Sequence, residues 1–393
     1  MIWKRSVSLL DYKTKILILN LFLFTIPISF ILGNLVLNLN IIVLIIISLF
    51  FLKLDIFRLK LNIIDKLVII FFSYILINGF YNNFFNFNYP KVEDQHIVLI
   101  KSSTFLRYLL LYFVLRYLVF KNLINFKLLF LIYSFVCLFV SIDVIIQFIF
   151  GRDLFGFEAS GRRMPGPFND EAIAGSFIQR FFIFVPYFVL IFSNQQKSTK
   201  STLIFACIII SLIGVALAGN RISLVMLILI LGIIFLFEKE LKKILIMISI
   251  ISIAAVIYVF KEPNEFRHHY KNFASDAVEI INYSKAKILN KEINNTNVHI
   301  KEIESGFLTW EENKIIGGGV KSFRWVCSNI DRSKALKIVS KRGGLNCNNH
   351  PHNYYIQLAA ELGLVGILIF IVLLISLISK SIIKLNYFKN DTV

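Results

Sequence analysis

Histidines and arginines carry the chemistry that this sequence offers. His350 and His352 stand in a polar run, NCNNHPHNYYIQ (346–357), that stops against a hydrophobic stretch. Histidine is the side chain whose ordinary pKa lies nearest neutrality, so it can take a proton from a hydroxyl and return it. Asn348, Asn349 and Asn353 flank the pair, and Pro351 locks its own φ on the approach. Arginines mark two further places. Arg162 and Arg163 lie in GRDLFGFEASGRRMPGPFNDEAIAG (151–175), where Gly and Pro hold an irregular backbone. Arg221 closes the turn ALAGNR (216–221). Rigid guanidinium forks suit phosphate oxygens. Taken singly, each has a plainer reading: a solvated basic turn, a snorkelling arginine, a structural histidine at an interface.

The elements that position these residues are membrane helices. The chain has 393 residues, 57% hydrophobic and 17% charged, with a mean hydropathy of +0.73; a soluble domain is far less apolar. About ten runs approach the roughly 20 apolar residues that cross a bilayer: near 16–33, 35–52, 66–82, 104–120, 128–150, 171–193, 202–218, 222–237, 244–260 and 353–379. The first follows a basic start, MIWKRS, without a small-residue cleavage site, and is read as a permanent span. The expected fold is all-α and polytopic: spans in 1–260, one large helical outer segment or cap in 261–352, and a last span with a cytoplasmic tail in 353–393.

Orientation follows from Lys and Arg in the short loops. With the N-terminus in the cytoplasm the inside segments hold 19 of them and the short outer loops 6. Both termini then face the cytoplasm, and the two arginine sites and the histidine run emerge on the same outer face. Topology and anionic lipid head groups account for much of the net charge of +18, so nucleic acid is not needed to explain it. Nothing shows the ligand spacing of a zinc site, a Gly-rich phosphate loop or a Ser-centred elbow. Adjacent His268 and His269 face different ways on a helix and are read as surface residues. Within the bilayer, Asp143 and Arg180 fall ~10 and ~14 Å below the outer ends of their spans and could pair, with Gln147 one turn above Asp143. Cys137 and Cys207 sit in spans. Cys327 and Cys347 both fall in the outer segment, where a disulfide is plausible in an oxidising periplasm and two free thiols are the alternative.

At these residues the chain resembles the O-antigen ligase and polymerase superfamily of bacterial envelope glycosyltransferases, over about 151–375. An arginine, two residues, a glycine and an aromatic, Asn-rich turn are matched by Arg163, Gly166, Phe168 and Asn169. The small-residue turn into an arginine is matched by Ala218, Gly219, Asn220 and Arg221. TWEENKIIGGGVKSF (309–323) is similar to a tryptophan-to-glycine stretch, and a histidine, ten residues and a glycine are met by His352 and Gly363.

The resemblance implies a glycan on undecaprenyl diphosphate as donor and a sugar hydroxyl, on lipid A–core or a growing glycan, as acceptor. His352 would be the general base, with Arg163 and Arg221 clamping the diphosphate where charge builds up. His350 and Arg162 are the second choices, and Asn353 and Arg180 are further substrate-binding candidates. No Asp-x-Asp motif is present, which agrees with chemistry that needs no metal or other cofactor. Ligase is favoured over polymerase. A transporter or flippase would also keep charges in a polar cavity, but usually shows two matching halves, which a single large outer segment near the C-terminus breaks. The expected place is the bacterial inner membrane, with the site facing the periplasm.

Overall fold

The computed structural model describes residues 11–85, 92–159, 163–169, 171–192, 197–261, 265–289, 297–330 and 345–390. These residues form an all-helical protein without strands. In chain order the first eight helices are α1 (Tyr12–Phe24), α2 (Ile26–Ile31), α3 (Asn34–Leu52), α4 (Ile63–Phe85), α5 (Val92–Phe120), α6 (Phe126–Phe150), α7 (Ala174–Phe181) and α8 (Phe184–Phe192). Then come α9 (Lys197–Leu217), α10 (Arg221–Phe237), α11 (Lys242–Lys261), α12 (Glu265–Ile288), α13 (Val298–Glu312), α14 (Phe323–Asn329) and α15 (Tyr354–Asn390).

Among the described residues seven helices are long and apolar enough to cross a membrane, or eight if the α10–α11 pair, bent by 112°, counts as one span. The protein is a multi-pass membrane protein, with fewer such helices than the ten apolar runs suggest. Two places account for the difference. The run 171–193 is split into α7 and α8, because Pro186 has no N–H to donate to residue 182; the Phe182 carbonyl accepts from Val185 instead, at 2.9 Å. The run from 222 onward is interrupted at Glu238, whose backbone is extended (φ −103, ψ 100).

The chain divides into two compact units that do not follow chain order: Met1–Ile56 with Val114–Phe273, and Phe57–Phe113 with Ala274–Val393. The first is built on a core of Val140, Val144, Phe177, Phe182, Ile208 and Leu227, drawn from α6, from α7 and its C-cap, and from α9 and α10. Its α6 ends on Gly151, in the left-handed region (φ 77), with the Gly151 N–H bonded to the Gln147 carbonyl.

The second unit is organised around a break in α15. Gly363 (φ 63, ψ −168) opens the helix, and the backbone of 314–319 enters the opening. Leu364 N donates to Lys314 O (2.9 Å) and Val365 N to Ile315 O (3.2 Å). Gly318 N and Gly319 N return bonds to Ala360 O (2.9 Å) and Glu361 O (2.8 Å). From α4, Tyr74 donates its hydroxyl to the carbonyls of Ile316 and Leu362, and Asn78 its amide to Ile316. A Cβ on Gly363 would overlap the Ile315 carbonyl and stand 2.6 Å from Gly317 N, so no other residue fits. Trp310 closes the turn into this segment by donating to Lys314 O at 3.1 Å.

Candidate functional site

In the second unit, α13 buries Glu302, Ser305 and Thr309 on one face and Glu304 on another. Asn297 caps the helix, accepting from His299 N, and its amide donates to Asp276 and Glu279 of α12. Tyr283 of α12 donates to Glu304. Burial, with the charge of Glu311 added, pushes the Glu304 carboxyl from 4.5 up to about 7.

The polar run before α15 lies across the face of Glu302 and Ser305. Asn346 N donates to Ser305 Oγ (2.9 Å) and Asn346 Nδ2 to Glu302 Oε1 (3.2 Å). Cys347 is disulfide-bonded to Cys327 of α14, which ties the run down at a second point. Gly306 permits the close approach: a Cβ there would overlap Ile356 and come 3.1 Å from Pro351 Cβ.

His352 then sits in the left-handed region (φ 48), uncommon for a residue with a Cβ and found where surroundings over-determine the backbone. Its Nε2 is 3.7 Å from Glu302 Oε1, with the histidine side chain 49% exposed and the glutamate 9%. His299 Nδ1 stands 3.3 Å from the other oxygen of the same carboxylate. The rings of His350 and His352 lie 4.4 Å apart, centroid to centroid. Burial lowers the pKa of His350, and the charges of His352 and Lys321 add to that against an opposing pull from Glu302. Asn353 is the N-cap of α15, its side-chain oxygen accepting from Tyr355 N and Ile356 N.

The first unit holds the arginine motifs. Gln147 and Asp143, both fully buried in α6, staple the loop that follows. Gln147 donates to Phe157 O (3.1 Å) and accepts from Gly166 N (2.8 Å), and Asp143 Oδ1 accepts from Leu154 N (2.9 Å). Asp143 does not pair with Arg180: Oδ1 accepts from Leu154 N, Oδ2 is buried without a partner among the described residues, and the Arg180 guanidinium lies 5.8 Å over the ring of Phe30.

Arg163 is exposed at the end of the stapled loop. Arg221 opens α10 directly after its cap, Asn220, whose amide also donates to Ser176 Oγ at 3.0 Å. Gly166 packs by Ala174, and Gly175 packs by Ala218 and Asn220, so both arginine-bearing segments meet the first turn of α7. A cavity of about 460 Å³ adjoins the loop, lined among others by Phe30, Asn34, Phe157, Phe168, Asn169 and Glu171. An apolar groove of about 550 Å³ shares Ile31, Leu32 and Phe155 with it.

The sequence-predicted residues thus fall into two groups, Arg163, Arg180 and Arg221 in one unit and His350, His352 and Asn353 in the other. Arg162 lies outside the described residues, as do the side chains of His268 and His269. Glu302, His299 and Asn346 belong to the histidine cluster without having been singled out. For Glu302 the signal was the spacing of Glu302, Ser305, Gly306 and Thr309 along one helix face; His299 and Asn346 carried none. Among the described residues no group of three or more His, Cys, Asp or Glu has the arrangement of a metal site.

No curated protein matches the chain. Residues 206–371, which include Arg221, the glycine-rich segment, the histidine cluster and Gly363, match the family model for O-Antigen ligase. Over that stretch the chain is similar to the O-antigen ligase family.

Proposed function

We propose that the protein is an O-antigen ligase-type glycosyltransferase, which moves a glycan from undecaprenyl diphosphate to a sugar hydroxyl of lipid A–core at the periplasmic face of the bacterial inner membrane. The observation that carries this reading is His352. A half-exposed imidazole is held in a costly backbone conformation beside a nearly buried carboxylate, on the last turn of chain before a membrane span. An acceptor hydroxyl comes from the aqueous side and a lipid-linked donor from the bilayer, so a base that serves both belongs at that boundary.

In this reading 261–352 is periplasmic. His352 takes the acceptor proton as the oxygen attacks the anomeric carbon, and the diphosphate departs with the electron pair of the broken C–O bond. Arg163 and Arg221 stabilise the charge that gathers on the leaving group, with Arg162 and His350 as the second choices. The apolar groove offers the polyprenyl chain a place beside the cavity that the arginine loop borders.

Deleting the gene and examining the envelope glycans tests the assignment. Lost attachment to lipid A–core with normal lipid-linked chains is the expected result. Single attached repeats would instead make the enzyme a polymerase whose acceptor is the growing glycan. Wild-type glycans would refute both.

A further inference from the structure

We propose that Glu302 is the positioning residue of this site: its carboxylate holds Nε2 of His352, which leaves Nδ1 as the nitrogen that takes the acceptor's proton. The proposal rests on the transfer reading above and adds a residue and an atom to it.

The geometry is specific. Oε1 of Glu302 is 3.7 Å from His352 Nε2 and 3.2 Å from the Asn346 amide, while Oε2 is 3.3 Å from His299 Nδ1. With its side chain 9% exposed, the carboxylate has given up most of its water. Among its close partners only the Asn346 amide is an invariant donor, so the carboxylate can still accept an N–H from an imidazole that faces it.

The reaction creates a positive charge on the ring. When the acceptor O–H loses its proton to Nδ1, the oxygen's electron pair forms the new glycosidic bond and the diphosphate leaves with the pair from the old one. His352 is then an imidazolium with Nε2–H facing Glu302. A carboxylate that attracts the imidazolium more than the imidazole stabilises the transition state over the ground state. It also favours the tautomer with the proton on Nε2, the nitrogen that faces the carboxylate at 3.7 Å. Glu304, two residues along, does not compete for the ring, because it takes the hydroxyl of Tyr283.

The test uses the full-length protein in detergent or nanodiscs, with lipid-linked donor and acceptor glycan. Glu302→Gln keeps the shape and can still accept from Asn346, but loses the charge. It should lower kcat by at least about 10–100-fold, the range for losing a partner that orients a metal-bound histidine, and leave both KM values within about twofold. Glu302→Asp keeps the charge on a shorter stem and should recover most of that loss. A purely structural role would rank them the other way, since Gln is the better isostere.

In a His352→Ala background, Glu302→Gln should cost nothing further, because the two act as one unit. Wild-type kcat for Glu302→Gln beside a crippled His352→Ala would overturn this inference alone, as would an additional loss in the double variant or a rise confined to KM. Wild-type transfer by His352→Ala would overturn the base assignment beneath it.

Discussion

Gly363→Ala is the sharpest perturbation of the fold. The dihedrals of Gly363 (φ 63, ψ −168) cost a residue with a Cβ about 1–3 kcal/mol. The added methyl meets backbone atoms, the Ile315 carbonyl and Gly317 N at 2.6 Å, which cannot swing aside as a side chain would. Displacing the inserted segment loses at least the two adjacent bonds, Leu364 to Lys314 and Val365 to Ile315, at about 1 kcal/mol net each. The total is about 3–5 kcal/mol, and at about 2–4 °C per kcal/mol for a unit of this size the melting midpoint should fall by about 10 °C. Intrinsic fluorescence during heating in detergent measures it. Gly232→Ala, where a Cβ meets nothing within 4 Å, is the control and should melt with the wild type. A Gly363→Ala variant that also melted within about 2 °C of the wild type would refute the inserted-backbone account of the histidine-to-glycine spacing.

Glu304 should make stability depend on pH. The buried acid is favoured protonated, so its contribution is present in full below pH 4.5 and is lost as pH rises to about 7, a difference of about 3 kcal/mol at 1.36 kcal/mol per pH unit. Glu304→Gln should flatten the melting-versus-pH curve across that window, and an unchanged slope would count against it. Replacing Cys327 and Cys347 by Ser opens a link spanning 20 residues and should cost about 3 kcal/mol, read by melting with and without reductant; equal midpoints for variant and oxidised wild type would contradict it. Arg163→Lys and Arg221→Lys keep the charge but lose the planar fork. Each should insert stably yet lose most of its transfer activity, and full activity in both would remove the clamp.

Membrane character and helical class were legible because hydropathy registers over whole spans. The breaks were less so: Pro186 and Glu238 are single residues whose effect on a run depends on which backbone bond they remove or expose. The spacing from His352 to Gly363 was visible, but not its physical cause, because the backbone that fills the opening comes from 314–319, and no local pattern shows a bond between carbonyls and amides some fifty residues apart. Asp143 and Arg180 matched in depth but not in direction: Asp143 is fully buried against the loop, while the Arg180 guanidinium turns to the ring of Phe30. Glu302 stayed hidden for the same reason as the glycine: its meaning lies in what the chain brings across from 346–352.

The central claim is that His352 is the base. The protein and its His352→Ala and His350→Ala variants should be purified, supplied with lipid-linked donor and acceptor, and assayed for transfer with no added metal and with chelator present. A general base contributes typically 10²–10⁴-fold, so His352→Ala should still bind donor yet transfer more slowly by about that range. His350→Ala should cost less, and chelator should leave the wild type active. Abolished transfer in His350→Ala with transfer spared in His352→Ala would contradict the account.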